Sequence, residues 1–330
     1  MIVFIAILLP IILCVLYFLL RFYKYNLMPR YKNDKGLKLH EKEIDYHNSS
    51  LKESYANSKG LLKWDYDFDE HNCFRITTIS NNEKVFCEHN ICAIATYGVI
   101  CYDNLVSDNE IDLYSTHFRN QIDWLCNNVV LLEDNKAVWY YKYPNKVFYS
   151  AVAQGFVISA LLRAYQLYKD EKYLDLATGA FRFLDTSVEN GGLKVINGDF
   201  KGWYEEYLDL PGVLNGHIYT LLGIWDLYRV TKNTYYKDCF YDGVNAIKKN
   251  INHFNLGFFT KYSAFKLSPA NNFYHFTHIT QFLVLYKITG DTFFKEYAEI
   301  FDSQTRYMKH KFKNGLYLLK LYFKNKLGIK

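Results

Sequence analysis

Two adjacent carboxylates, Glu205 and Glu206, stand among Trp203, Tyr204 and Tyr207 at the start of the stretch WYEEYLDLPGVLNGHIY, Trp203 to Tyr219. A carboxyl held among aromatic rings loses hydration, so its charged form is disfavoured and its pKa rises toward that of a working base. The same stretch carries Asp209, placed before Pro211 as a turn residue would be, and Asn215, which suits a helix start or could orient a sugar hydroxyl. Tyr262 and Tyr274 follow, twelve residues apart, on either side of a Ser-Pro-Ala-Asn-Asn loop that could bring both to one cavity. A phenol can return a proton to a carbanion, so these residue types together suit proton removal from carbon and its replacement. His275 and His278 share a helical face by their spacing of three, but with no third ligand nearby no metal site is expected. Gln154 and Gly155 open the apolar helical run FVISALLRAY, where Gln154 either lines a cleft or satisfies backbone. Arg163, in that run, is expected to pair with an acid of a neighbouring element.

These residues need a scaffold, and the chain supplies a repeating one. Of 330 residues half are apolar, enough for one large core. From Ile91 onward a helical stretch ends four times in a polar turn, and a second helix opens with aromatics. Aligning Asp170, Asn233 and Asp291 gives spacings of 63 and 58 residues, the mark of a helical-hairpin repeat. Hairpins in series must bury a face against their neighbours. The expected fold is all-α, an incomplete (α/α) toroid over 91–330, with an open solenoid as the alternative. The loops that carry chemistry recur before each first helix and would gather at one end.

The N-terminal part reads differently. Residues 1–20 carry no charge, and a span over 1–22 is expected to form a transmembrane anchor, followed by a polar tether over 23–60. Arg21, Lys24, Arg30, Lys32, Lys35 and Lys38 follow the span, which places the body on the cytoplasmic side. Residues 61–90 are rich in β-formers around Asn81 and Asn82 and predict a small β-hairpin region. The seven cysteines show no paired CxxC spacing, so free thiols in a reducing compartment are expected. A net charge of +5 without a basic stripe speaks against nucleic acid; it fits a balanced solvated surface first and would also suit a polyanion. The 31 tyrosines and 25 phenylalanines fit either a coding bias or a glycan cleft.

Five blocks in order, YSAVAQG, WYEEY, VLNGHIY, the lone Tyr262 and YHFTHITQF, resemble the C-terminal domain of the glucuronyl C5-epimerases, including those acting on heparosan. The similarity covers Tyr149 to Tyr307, with weaker matches at IATYGV and DWLCNN. It implies an (α/α) toroid that converts D-glucuronate to L-iduronate within a polysaccharide by moving the C5 proton, without a redox cofactor. Carried over by position, it implicates Glu206 as base or activator of a tyrosine, Tyr207 as holding the uronate or sharing its proton, and Tyr262 or Tyr274 as the opposite-face donor. Gln154, Trp203, Tyr204, Glu205, Asn215, Lys266 and His278 are then expected to contact substrate. Animal members place an arginine three residues after the tyrosine matching Tyr262, where this chain has Phe265, and Lys266 is the substitute. The β-rich domain that those members carry between IATYGV and DWLCNN is absent, so the chain resembles the shorter bacterial branch, acting on a capsular or exopolysaccharide. The expected partners are a uronate-containing polysaccharide, the membrane through the N-terminal helix, and in a homodimer a second copy. A lyase using the same carbanion and a non-catalytic glycan-binding subunit are the alternatives. A glycoside hydrolase is disfavoured, because neighbouring carboxylates cannot easily face each other across a bond.

Overall fold

The computed structural model describes residues 66–68, 74–80, 83–86, 89–106, 111–143, 146–306 and 313–321. The expected anchor and tether lie outside the described residues. Among those described, no helix is long and apolar enough to cross a membrane.

Three strands come first: β1 (Tyr66–Phe68), β2 (Phe74–Ser80) and β3 (Glu83–Phe86) form an antiparallel meander in which Ser80 pairs with Glu83. Helices α1 (Ile91–Val106) and α2 (Ile111–Asn127) make the first helical hairpin. Two antiparallel ribbons follow, β4 (Val130–Leu132) with β5 (Lys136–Val138) and β6 (Tyr141–Tyr143) with β7 (Lys146–Phe148). Each of these four strands has three residues, too short for alternation to show, and neither ribbon is legible in the sequence. The chain continues with α3 (Ala151–Tyr168), α4 (Glu171–Asp185), α5 (Leu214–Thr231), α6 (Thr234–Asn250), α7 (Asn272–Thr289) and α8 (Thr292–Arg306). A last helical segment covers 313–321.

The molecule is mostly helical, and its helices form two layers. Helices α1, α3, α5 and α7 pack each on the next, and each also packs on the helix that follows it in sequence. The inner helices α3 and α5 are buried almost all round, whereas the outer helices α4 and α6 bury one stripe.

Local chemistry explains the repeat. The aligned residues Asp170, Asn233 and Asp291 cap the outer helices, accepting from Lys172, Tyr235 and Phe293 N–H at 3.0 Å each. Immediately before each cap the inner helix ends in a left-handed residue, Lys169 at φ 57°, Lys232 at 59° and Gly290 at 69°. The reversal therefore takes two residues, one left-handed and one capping. At the other end, the fourth residue of α3, of α5 and of α7 holds the incoming chain. Gln154 Oε1 accepts from Trp139 N–H at 3.3 Å and its Nε2 donates to Trp139 O at 3.0 Å. His217 Nδ1 accepts from Tyr204 N–H at 3.0 Å and His275 Nδ1 from Thr260 N–H at 3.2 Å. The opposite nitrogens then donate outward, His217 to Gly243 O at 3.1 Å and His275 to Phe301 O at 3.0 Å.

Between α3 and α5 the backbones touch: a Cβ on Gly155 would lie 2.8 Å from Thr220 Cα, and one on Gly223 2.4 Å from Gly155 O. Farther along the same pair, Arg163 meets Asp226 at 3.0 Å and Arg229 meets it at 3.1 Å, all three buried. The expected acid partner of Arg163 is thus Asp226, one repeat away.

Candidate functional site

The segment entering α5 is stiffened before it reaches the carboxylates. Val195 N–H donates to Trp203 O, Gly202 N–H to Val195 O and Glu205 N–H to Leu193 O, at 2.8, 2.8 and 2.9 Å. Trp203 stacks on His217 with ring centres 4.0 Å apart, and Tyr204 is held through its backbone by the same histidine. Glu205 Oε2 accepts from Gly212 N–H at 2.7 Å, which ties the carboxylate to its own loop. Glu206 projects instead over the first turn of α5. A Cβ on Gly216 would lie 2.1 Å from Glu206 Oε2, so only glycine leaves room for this carboxylate.

A second segment is pinned against the first. Leu214 N–H donates to Tyr262 O at 3.1 Å, Ala264 N–H to Gly212 O at 2.9 Å, and Ser263 Oγ to Pro211 O at 2.8 Å. This brings the Tyr262 hydroxyl to Glu206, 3.3 and 3.4 Å from its two oxygens. Tyr274 enters from the first turn of α7, where Asn271 Oδ1 accepts its N–H at 3.0 Å, and its ring lies 4.5 Å from that of Tyr262. Tyr207 also hydrogen-bonds the Glu206 carboxyl. Its ring stands 5.9 Å from Phe148 of β7. The four residues carried over by resemblance therefore converge, from the loop before α5, the loop before α7 and α7 itself.

The electrostatics follow from burial. Desolvation pushes the Glu206 carboxyl up to about 7, against the opposing pull of hydrogen bonds from Tyr207 and Tyr262. Glu205 is also pushed up to about 7 by burial, with Gly212 N–H opposing. Burial and the neighbouring Glu206 raise Tyr207, Tyr262 and Tyr274 above the ordinary phenol value, so all three hold their protons at neutral pH. A near-neutral carboxyl among protonated phenols can take a proton from carbon on one side and offer one from another.

Three further residues belong to this centre without having been expected there. Tyr219 lies one turn beyond Gly216; burial, then Tyr274 and Glu206, raise it to about 12, and its ring stands 5.0 Å from Phe156 of α3. Tyr141 of β6 donates to Cys92 Sγ at 3.0 Å, and the Cys92 thiol, raised to about 12 by burial, also feels Glu206. The stretch VLNGHIY does contain Gly216 and Tyr219, and their spacing of three within a helix is the signal that could have found them.

Other expected substrate contacts are placed elsewhere. Trp203 and Tyr204 are fully buried in the core, and Gln154 spends both ends of its amide on Trp139 backbone. Glu205 holds the loop. His278 is fully buried, bonded through Nδ1 to Thr260 Oγ1 at 3.0 Å, and burial lowers it to about 3, so it stays neutral. Asn215 is buried at the helix start, and its backbone oxygen accepts from Gln281 Nε2 at 3.0 Å. Lys266 stands exposed next to Phe265, itself 61% exposed. Among the described residues no three His, Cys, Asp or Glu side chains gather as metal ligands.

Layered helical hairpins bring a buried carboxyl and three phenols together at the ends of the inner helices. The profile of the D-glucuronyl C5-epimerase C-terminus family matches residues 133–303, and the chain belongs to that family. The D-glucuronyl C5-epimerase of Caenorhabditis elegans is 35% identical over 128 residues, covering 34% of this chain and 20% of that protein. An uncharacterized protein of Methanocaldococcus jannaschii is 30% identical over 171 residues, covering 48% of this chain and 55% of that one. The chain thus matches a fifth of one curated relative and about half of the other. Among solved structures, a GH76 α-mannanase of Bacteroides thetaiotaomicron aligns at TM-score 0.49 and 13% identity, over 82% of this chain and 73% of that one. The cellobiose 2-epimerase of Spirochaeta thermophila aligns at 0.46 and 15%, over 66% and 59%. Both scores are low, and neither likeness bears on the chemistry.

Proposed function

We propose that the chain is a carbohydrate epimerase, acting as a hexuronyl C5-epimerase on D-glucuronate residues of a polysaccharide. The observation that supports this most is the Glu206 carboxyl, raised to about 7, with the Tyr262 hydroxyl on both its oxygens and the Tyr274 ring tilted against that of Tyr262 at 4.5 Å. Proton removal from C5, next to a carboxylate, leaves an enediolate that needs no redox partner but does need hydrogen-bond donors. Glu206 is the base; Tyr207 and Tyr262 share its proton and donate to the developing charge. Tyr274, on a separate helix, returns a proton to the opposite face. Two-base inversion requires such groups on opposite faces of the carbon, and membership of the family agrees with this use.

The test is incubation of the protein with a glucuronate-containing polysaccharide in deuterated water, read by NMR. Deuterium at C5 together with iduronate signals is the expected outcome. An unsaturated uronate would mean elimination in place of inversion, and no exchange with any uronate glycan would overturn the proposal.

A further inference from the structure

An ionised Glu206 repels an incoming carboxylate, and a uronate site must answer that repulsion with a cation. Among the described residues none sits against Glu206, whose carboxyl is opposed only by hydrogen bonds. Lys261, next to Tyr262 in sequence, turns its ammonium away to Ala264 O at 2.6 Å. Lys266 is exposed, with no hydrogen bond or ion pair among the described residues. A third lysine is built onto the site. Lys146 begins β7, two residues before Phe148, the ring that packs on Tyr207. Its ammonium lies over Phe148, 5.1 Å from the ring centre, and meets Asp209 at 2.6 Å. Asp209 is only two residues beyond Tyr207, in the loop that carries Glu206. The two side chains remain 55% and 67% exposed.

We propose that Lys146 receives a carboxylate of the glycan and that Asp209 occupies it until substrate arrives. This rests on the uronate reading above and names the residue that would read the acid group. An exposed ion pair is weak, so exchange of one carboxylate for another costs little, and the ammonium is already seated over Phe148. The exchange is one of partners only: no bond to carbon forms or breaks, and no proton moves. Asp209 is then a competitor, which a merely structural ion pair would not make it.

The experiment measures affinity of the full chain for a glucuronate-containing oligosaccharide and for the same oligosaccharide with its carboxyls reduced. Lys146→Met should weaken binding of the acid form about three- to tenfold and leave the reduced form unchanged, while Lys146→Arg retains most of the affinity. Asp209→Asn should tighten binding of the acid form by a similar factor. If Asp209→Asn weakens binding as Lys146→Met does, or if neither variant changes it, the receptor is overturned. C5 exchange by the unsubstituted protein is recorded in the same samples. Exchange without an effect at Lys146 removes the receptor and leaves the epimerase, whereas the Lys146 and Asp209 effects without exchange keep the receptor and remove the epimerase.

Discussion

Taking the charge from Glu206 should stabilise the fold and stop the chemistry. Its carboxyl titrates near 7 in the folded protein and near 4.5 when free, so the folded state holds its proton to higher pH than the unfolded state. Stability therefore falls as pH rises from 4.5 to about 7 and is level above that, with a loss on the order of 1–3 kcal/mol. Glu206→Gln should recover most of that loss at pH 8 and none at pH 4, which urea unfolding at the two values would show. C5 exchange by the unsubstituted protein should rise with pH through an acid limb near 7, as the base ionises. Gly216→Ala tests position separately from charge. Its methyl would occupy the place of Glu206 Oε2, so exchange should drop by about a hundredfold or more while circular dichroism stays helical. Retained exchange in Gly216→Ala would mean that this carboxylate is not the base.

At the scale of the element, the same turn is built three times from different residues. Lys169 and Lys232 adopt a left-handed backbone that Gly290 adopts without a Cβ penalty. Lys232→Gly and Lys169→Gly should each stabilise the protein by up to about 1 kcal/mol, and Gly290→Ala should destabilise it by about as much. Denaturant midpoints at unchanged slope are the measurement. The caps Asp170, Asn233 and Asp291 are legible because an Asx side chain before a helix has a local reason to be there. The clamps at the fourth position of the inner helices are less so, because Gln154, His217 and His275 share a role and not a residue type. The ribbon β6–β7, which carries both Tyr141 and Lys146, left no pattern in the sequence at all.

Across the whole molecule, the layers are joined by groups that only meet when the hairpins stack. Asp226 of α5 serves both Arg163 of α3 and Arg229, with all three buried. Asp226→Asn would remove the charge both guanidiniums share and should cost about 3–5 kcal/mol, measured by calorimetry or chemical unfolding. The sequence by itself determined the helical-hairpin repeat, its turns and the residue types for proton transfer, because spacing and capping act within a few residues. It also carried the family, through five ordered blocks. Tertiary structure decided which of two adjacent glutamates faces the phenols, that Trp203 and Tyr204 lie in the core while Tyr207 does not, and that Gly216 makes room for Glu206. The reason is range: desolvation and hydrogen-bond partners are set by residues far apart in the chain, as Tyr262 is 56 positions from Glu206, Tyr141 49 from Cys92 and Lys146 63 from Asp209.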